Sequence, residues 1–434
     1  MNLYSLKLGT SKVDITPEEP LPLAGFGHRK GHYSGIHHRL YLRIFFFQQL
    51  DCEGRDVHAL LVQADLIWWG TDRIVNLLQT IKERWNVPES RVILHATHTH
   101  CGPQTSNALL PSLGAADEHY LGQLETKLFQ GIDEAYENLE PVLLEKATGE
   151  CQIGVNRRKQ IKGQLIMAPN FEGPGDPEVQ VIRFRHENTH ELKGILFHYA
   201  CHPTTTADNW ISSEFPGVAM EIIEKETGAK VASFLQGCSG DLRPALIKNG
   251  EFYRGDDGDI RRFGKMLADV ILDVLEGEME SMQPCCIKGI SRDIRLPLQD
   301  IPTQESLYTK REEGGIVGEW STFLLEDSTR LRPNIGFQMN LLHLAKGLSF
   351  LSMNGEVVVE YGLFIKQKYG GQVLPLPYSN GMIGYIPTAK QIDEGGYESN
   401  ESTMYFGLPA SFDKKIEGLI HNTIISLMQE EQKT

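Results

Sequence analysis

The chain has 434 residues, 41% hydrophobic and 23% charged, which is ordinary globular composition with ample material for a large core. Fifty-seven acidic against 42 basic residues give a net charge of −15 with no compensating basic run, which argues against nucleic acid or an anionic membrane surface as partner. No apolar run is long enough to span a bilayer, no secretion leader is evident at Met1–Lys7, and seven scattered cysteines do not make a disulfide framework, so a cytoplasmic setting is expected.

Residues 7–17 are predicted as a strand running into the turn Asp14-Ile15-Thr16-Pro17. A glycine-bearing segment follows, Gly25-Phe26-Gly27 to Gly35-Ile36-His37, where glycine permits sharp turns or close backbone approach. Two strongly apolar strands are expected around 40–48 and 57–64, the second ending at Asp65. Ile74, Val75, Leu78, Ile81 and Trp85 keep to one stripe of a helix over 72–86. A strand at 91–95 then reaches His95-Ala96-Thr97-His98-Thr99-His100-Cys101-Gly102-Pro103. After the loop 104–116, Asp117 caps a long helix with Leu121, Leu124, Leu128, Ile132 and Leu139 on one face, and Pro141 stops it.

Strands 142–155 and 179–186 flank a loop rich in Gly and Pro, Pro169 to Pro177, and the first of them ends at Asn156-Arg157-Arg158. Strand 193–200 runs into Cys201-His202-Pro203, and helix 216–227 carries Pro216 in its first turn. Strand 230–235 runs into Gln236-Gly237-Cys238-Ser239-Gly240-Asp241, and helix 259–276 follows an acidic Gly-Asp loop. Beyond Pro284 strand dominates: 286–297 and a hairpin near Gly347 lead into Asn354-Gly355-Glu356. Helix 356–368, strand 372–376, a loop carrying Tyr385 and Tyr397, and an amphipathic helix over 411–428 with Ile416, Leu419, Ile420 and Leu427 inward complete the chain. The expected fold is α/β, mixed β-sheets with flanking helices and catalytic residues at strand ends, in a single unit 1–434 with 278–284 as the one candidate boundary.

Strand after strand ends in a short polar cluster, at 98–103, 201–205, 236–244 and 354–356. Ligands of open α/β sheets lie outside the carboxyl ends of the strands, so these clusters are expected to converge. His98 and His100 are two apart and share a side in extended chain. A catalytic zinc needs about three protein ligands and an open position. The best donors are His98, His100, His202 and Glu356, with Tyr385 a less usual one. Amide hydrolysis would also need an oxyanion donor and an acid for the leaving amine, and Arg157, Tyr397 and His100 suit those tasks. Each residue has an ordinary alternative. The histidines could line a solvated turn, His202 could be a core histidine, and Glu356 could serve the first turn of its helix. Arg157 could be a solvated strand end, and the tyrosines packing residues. Asp65 is either a partner that orients a ligand histidine or a turn residue. Cys101 and Cys238 are candidate thiol nucleophiles, set against the inertness of most buried cysteines.

Taken together these segments resemble the catalytic domain of the neutral (non-lysosomal) ceramidase family. The family's Thr-His-Thr-His-Ser-Gly-Pro stands here as Thr97-His98-Thr99-His100-Cys101-Gly102-Pro103. Asp14-Ile15-Thr16, Gly35-Ile36-His37, Asn156-Arg157, His202-Pro203-Thr204, Gly355-Glu356 and the tyrosines Tyr385 and Tyr397, the latter in Tyr-Glu, match further segments in order. The resemblance implies a zinc-dependent amidohydrolase in which a zinc-activated water attacks an N-acyl amide. His98, His202, Glu356 and Tyr385 would be the Zn2+ ligands, and His100, Arg157 and Tyr397 would surround the scissile bond. The substrate would be a small-molecule N-acyl amide. The family's Gly-Asp-Val-Ser-Pro-Asn is Gly240-Asp241-Leu242-Arg243-Pro244-Ala245 here, so an arginine replaces a serine. Asp241 and Arg243 are then expected on the wall of the site, Arg243 hinting at an anionic group on a substrate more soluble than ceramide. The family's C-terminal immunoglobulin-like domain is not expected. A cysteine-dependent hydrolase and a non-catalytic homologue that keeps the fold are the alternatives.

Overall fold

The computed structural model describes residues 5–51 and 53–433. Its largest sheet runs in the order Ala232–Gln236, Leu192–Tyr199, Glu178–His186, Glu140–Glu150, Lys7–Asp14, Tyr41–Leu50, Asp56–Ala64, Val92–Ala96, with Glu280–Met282 paired on Glu140–Glu150. The strand Tyr41–Leu50 shows why this sheet is central. Leu42, Ile44 and Phe46 point into one core and Phe45 and Phe47 into another, so both faces are buried and the strand is apolar without alternation.

Phe45, Phe47, Leu61, Ile93, Leu196 and Leu235 on one face of this sheet meet Leu342, Leu344, Phe350, Leu374 and Leu376 of a second sheet. That second sheet is Pro284–Pro297, Asn334–Ala345, Leu348–Met353, Val373–Leu376. Helices cover the outer faces. Thr71–Trp85 and Glu118–Glu137 pack through Ile74, Leu78, Ile81, Leu124 and Leu128. Glu214–Thr227 and Asp257–Glu276 pack on Val179, Ile195 and Phe197. Lys415–Lys433 packs through Ile416, Ile420, Ile424 and Leu427. Full burial of each such side chain contributes about 1.5–3 kcal/mol.

Three crossovers position the site. Asp56–Ala64 and Val92–Ala96 are parallel neighbours joined through the helix Thr71–Trp85. Leu192–Tyr199 and Ala232–Gln236 are parallel and joined through Glu214–Thr227. Leu348–Met353 and Val373–Leu376 are parallel and joined through Val359–Tyr369. The two ends of the large sheet also touch, because the backbone N–H of Gln236 donates to His95 Nε2 at 2.8 Å. The C-terminal ends of these strands therefore open onto one region, the expected place for a ligand in such sheets.

Several boundaries differ from expectation. The strand expected over 142–155 breaks into Glu140–Glu150 and Gly154–Ile161, because the Tyr199 hydroxyl accepts the N–H groups of Ile153 and Gly154 at 3.0 Å and donates to the Cys151 carbonyl at 3.0 Å. Gly154–Ile161 instead belongs to a small sheet with Gln164–Asn170 and Leu242–Pro244. Glu356 is not in a helix: it lies in the two-residue strand Glu356–Val357, and the helix begins at Val359. Helices Gln304–Arg311 and Gly315–Glu326 lie between the strand expected over 286–297 and the hairpin near Gly347, where no element is assigned from sequence. Val75 and Leu419, expected inward, are exposed at 74% and 41%. Glu280–Met282, within the candidate boundary 278–284, pairs with Glu140–Glu150 as a strand of the large sheet.

Gly9 marks the tightest crossing. A Cβ there would lie 1.7 Å from the Ala135 carbonyl oxygen of the helix Glu118–Glu137. Gly9→Ala is expected to push that helix off the sheet and to cost about 1–3 kcal/mol or more, read as a lowered Tm, whereas an unchanged Tm would show that the helix can retreat freely.

Candidate metal centre

His98 and His202 stand just past the ends of Val92–Ala96 and Leu192–Tyr199, the first an edge strand whose end meets Ala232–Gln236, the second the neighbour of Ala232–Gln236. His98 has φ of 68°, a left-handed conformation uncommon for a residue with a Cβ, and its N–H donates to the Leu66 carbonyl at 2.9 Å. That turn swings its imidazole inward from the strand end. Glu356 follows Met353 by three residues and is pinned by its own N–H on the Gly384 carbonyl at 2.9 Å. The parallel register places Glu356 opposite Tyr385, which explains why residues 29 apart in sequence share the site.

The ring nitrogens of His98, His100 and His202 fall within 4.8 Å of one another, a grouping able to hold a metal ion. Each imidazole is held by its Nδ1 on a backbone carbonyl: His98 on Ile67 at 2.8 Å, His100 on Gly25 at 3.1 Å and His202 on Ser239 at 2.6 Å. A carbonyl only accepts, so Nδ1 carries the proton in all three and a neutral ring presents its lone pair at Nε2. His98 Nε2 lies 3.1 Å from Glu356 Oε2 and 3.2 Å from His100 Nε2, and His202 Nε2 lies 3.3 Å from Glu356 Oε2.

With Nδ1 engaged by a carbonyl in each ring, the Nε2 atoms of His98 and His202 are turned toward the Glu356 carboxylate. His202 Nε2 and Glu356 Oε2 are buried and have no hydrogen-bond partner among the described residues. A cation among these atoms, a proton or a metal ion, would satisfy them. Burial pushes the His202 imidazole down to about 4, against the pull of Glu356, and burial with the neighbouring His98 and His202 rings holds His100 well below the usual range. Burial opposes ionisation of Glu356, but His98 and His202 outweigh it and hold its carboxyl well below the usual range. Imidazoles beside a carboxylate are a donor set that suits a divalent cation.

Around this centre lies a second set of groups. The ring of Tyr378 packs 4.2 Å from that of His98, and its hydroxyl is 3.0 Å from Ser239 Oγ. The ring of Tyr385 stacks at 6.4 Å on His202, and its hydroxyl accepts from Arg157 Nη2 at 3.2 Å. Arg157 Nε also donates to Glu398 at 2.7 Å, and Arg158 donates to the other oxygen of Glu398 at 2.6 Å. Tyr397 lies beside Tyr385, ring centroids 5.6 Å apart, with the Arg157 guanidinium 5.5 Å from its centroid. Glycine is required at Gly25, whose φ is 96° and where a Cβ would come within 2.4 Å of His100 Nδ1.

Of the residues singled out from sequence, His98, His100, His202, Glu356, Tyr385, Arg157 and Tyr397 are therefore brought together. Asp241 lies one layer out. Its carboxylate accepts from the Val359 N–H at 2.9 Å, at the start of the helix after Glu356, and from Asn156 and Gln391 at 3.1 and 3.0 Å. Arg243 is buried on the strand paired with Gly154–Ile161. Asp65 corrects the expectation. It holds no histidine, because its oxygens are taken by Arg43 at 3.0 Å, the Tyr41 N–H at 3.0 Å and Gln63 at 3.0 Å, while backbone carbonyls orient the imidazoles. His95 is engaged on both nitrogens, by Ser379 at 2.9 Å and Gln236 at 2.8 Å. Burial pushes the Cys101 thiol up to about 12, and its sulfur faces Thr206 and Arg29 rather than a histidine.

Sequence reasoning missed Tyr378, Ser239 and the carbonyls of Gly25 and Ile67, which carry no side-chain signature. It also passed over Glu398 as a residue in its own right, although Glu398 directly follows Tyr397 and a buried acid was needed to match Arg157 and Arg158.

Residues 6–255 match the family described as neutral/alkaline non-lysosomal ceramidase, N-terminal. The chain is 27% identical over 297 residues to a neutral ceramidase of Pseudomonas aeruginosa, covering 63% of this chain and 44% of that protein. It is 25% identical over 266 residues to a neutral ceramidase of Mycobacterium tuberculosis, covering 55% and 40% respectively. The chain thus spans less than half the length of these relatives. The crystal structure of the Pseudomonas aeruginosa neutral ceramidase superposes with a TM-score of 0.73 at 21% identity over 91% of this chain and 70% of that one, which shows a shared fold. A ceramidase structure described as complexed with C2 gives the same TM-score at 19% identity over 95% and 73%.

Proposed function

The chain belongs to the neutral/alkaline non-lysosomal ceramidase family, and on that premise we propose that it is a zinc-dependent amidohydrolase acting on the linear N-acyl amide of a small molecule. The observation that carries the reading is the convergence of His98 Nε2 and His202 Nε2 on the Glu356 carboxylate, at 3.1 and 3.3 Å, with all three side chains buried. An N2O donor set of imidazole and carboxylate suits zinc. His98, His202 and Glu356 would hold the metal, with the Tyr385 hydroxyl as the further donor. When bound, zinc would supply Lewis acidity and lower the pKa of water toward neutrality.

The chain's own groups take the remaining tasks. Arg157, locked by Glu398 and in contact with the Tyr385 hydroxyl, places a fixed positive charge beside the scissile carbonyl, and the Tyr397 hydroxyl can donate alongside it. Both hydrogen bonds of Arg157 are made before substrate arrives, so little reorganisation is needed as charge develops. His100 has its Nε2 beside the cluster and its Nδ1 proton fixed on Gly25, which leaves Nε2 to take up a proton and pass it to the departing amine. Asp241 and Asn156 tie the Arg157 strand to the helix after Glu356, holding the metal side and the carbonyl side at constant spacing. No helix of the described residues is long and apolar enough to cross a membrane.

Metal quantification of the purified chain followed by hydrolysis of an N-acyl amide panel tests this. About one zinc per chain and chelator-sensitive turnover are expected. Absence of zinc together with chelator-resistant hydrolysis abolished by Cys101→Ala would overturn the metal reading in favour of a thiol enzyme, and zinc without turnover of any amide would leave a binding homologue.

A further inference from the structure

Guanidinium groups gather at the border of the metal centre in two chemically different states. Arg157 and Arg158 are paired with acids, both with the buried Glu398 and Arg158 also with Glu394 at 3.3 Å. Arg29, Arg243 and Arg254 are not: among the described residues none of the three forms an ion pair with a carboxylate. Arg29 spends its donors on the carbonyls of Ala24, His100 and Asp208, at 3.1, 2.6 and 2.7 Å, and on the Cys101 sulfur. Arg243 is 7% exposed, rests 4.3 Å over the Phe252 ring, and its buried Nε has no partner among the described residues. Arg254 lies 4.7 Å from the centroid of Phe26, whose ring also carries Arg29 at 4.9 Å and contacts the His100 ring at 4.9 Å. Glu214 attracts Arg254 without pairing with it, because its carboxylate faces the N–H groups of Thr206 at 3.1 Å and Phe215 at 3.4 Å.

For Arg243, a buried charge without a partner is costly, and proteins retain one where a ligand supplies the partner. Arg243 lies on the strand paired with that of Arg157 and rests on Phe252, two residues before Arg254, and burial, then the repulsion of Arg254 and Arg157, pushes it down to about 9. This happens in a chain whose net charge is −15, with abundant acids elsewhere that could have neutralised them. Arg243 borders Arg157 and through it Tyr385, while Arg254 reaches His100 through Phe26. An anion between Arg243 and Arg254 would therefore lie beside the scissile bond rather than at a remote surface.

We propose that the substrate carries an oxyanion, a carboxylate or a phosphate, seated by Arg243 and Arg254, with Arg29 contributing its field from behind Phe26. The inference rests on the amidohydrolase reading for its substrate but not for its binding. A planar guanidinium pairs two oxygens at once, so both groups suit carboxylate and phosphate more than a neutral hydroxyl.

The test uses the zinc-loaded chain and amide pairs that differ only in charge. N-octanoylglycine against its carboxamide and N-octanoyl-O-phosphoethanolamine against N-octanoylethanolamine place the anion on the amine side as carboxylate or phosphate. N-octylsuccinamic acid against its amide places it on the acyl side. Calorimetric Kd and kcat/KM are both measured. At least one anionic member is expected to bind about tenfold or more tightly than its neutral twin, and Arg243→Gln and Arg254→Gln are each expected to collapse that ratio. Arg254 is exposed, so Arg254→Gln reads the effect even if the buried Arg243 is needed for folding. Ratios near one in every pair, or a preference that survives both substitutions, overturn the proposal. Tight binding of the anion without turnover leaves the anion seat standing and removes the amidohydrolase reading; turnover without a charge preference does the reverse.

Discussion

His202→Ala is expected to purify with little or no zinc and to lose hydrolysis to background. His202 Nε2 faces Glu356 Oε2 at 3.3 Å, and its ring is aimed by a 2.6 Å hydrogen bond from Nδ1 to the Ser239 carbonyl, so its removal takes one fixed donor from the cluster. Removing even an outer partner of a zinc ligand typically costs 10–100-fold in affinity, and loss of a ligand itself should exceed that. The measurement is metal content after gel filtration, with thermal unfolding alongside. Added zinc at about a hundred times its Kd should stabilise the native chain by roughly 2.7 kcal/mol, and this increment should vanish in the variant. Substitution of His202 that leaves full metal content and the zinc-dependent rise in Tm would remove it from the centre. His100→Ala provides the internal contrast: with His100 assigned to the leaving amine, metal is retained while kcat falls, and loss of metal there would move His100 into the ligand set.

Arg157→Ala is expected to keep its metal and lose roughly 10²–10³-fold in kcat, the usual cost of a missing oxyanion donor. The side chain makes a 2.7 Å bond to Glu398 and a 3.2 Å bond to the Tyr385 hydroxyl, and those two contacts fix where its charge sits. Arg157→Lys should recover little, because an ammonium on a flexible stem cannot make both bonds in one plane. Glu398→Gln separates position from charge: the guanidinium remains but loses its ionic anchor, so kcat should fall less than in Arg157→Ala. Tm should also drop, because Arg157 and Arg158 would then share no carboxylate in a buried setting. An Arg157→Ala protein with unchanged kcat/KM would exclude the residue from the reaction.

The membership of the site was legible in sequence because its residues stand at strand ends. His98, His202 and Glu356 each close an apolar run, and the period-2 and period-3.6 patterns around them place those runs as strands and helices by local physics alone. Glu356 shows the limit of that approach. A glutamate before a helix is indistinguishable, within its own segment, from a residue of the first helical turn, and only pairing with Tyr385–Ile386 draws it into a strand and turns its carboxylate to the histidines. Asp65 shows the opposite failure. Its strand-end position looked apt for orienting a histidine, yet Arg43, which shares its strand pair, claims the carboxylate inside the core.

By itself, then, the order of residues determined the α/β character, the strand-end clusters, the donor types and the family. Tertiary structure alone decided which donors face one another, which ring nitrogen is free, and which charges are paired. The orienting atoms of the histidines are the carbonyls of Ile67, Gly25 and Ser239, and a carbonyl is present at every residue, so no side-chain pattern marks it. The same holds for Arg29, Arg243 and Arg254. Whether a guanidinium is matched by an acid depends on long-range packing of the strands and loops that carry them, which no local periodicity encodes.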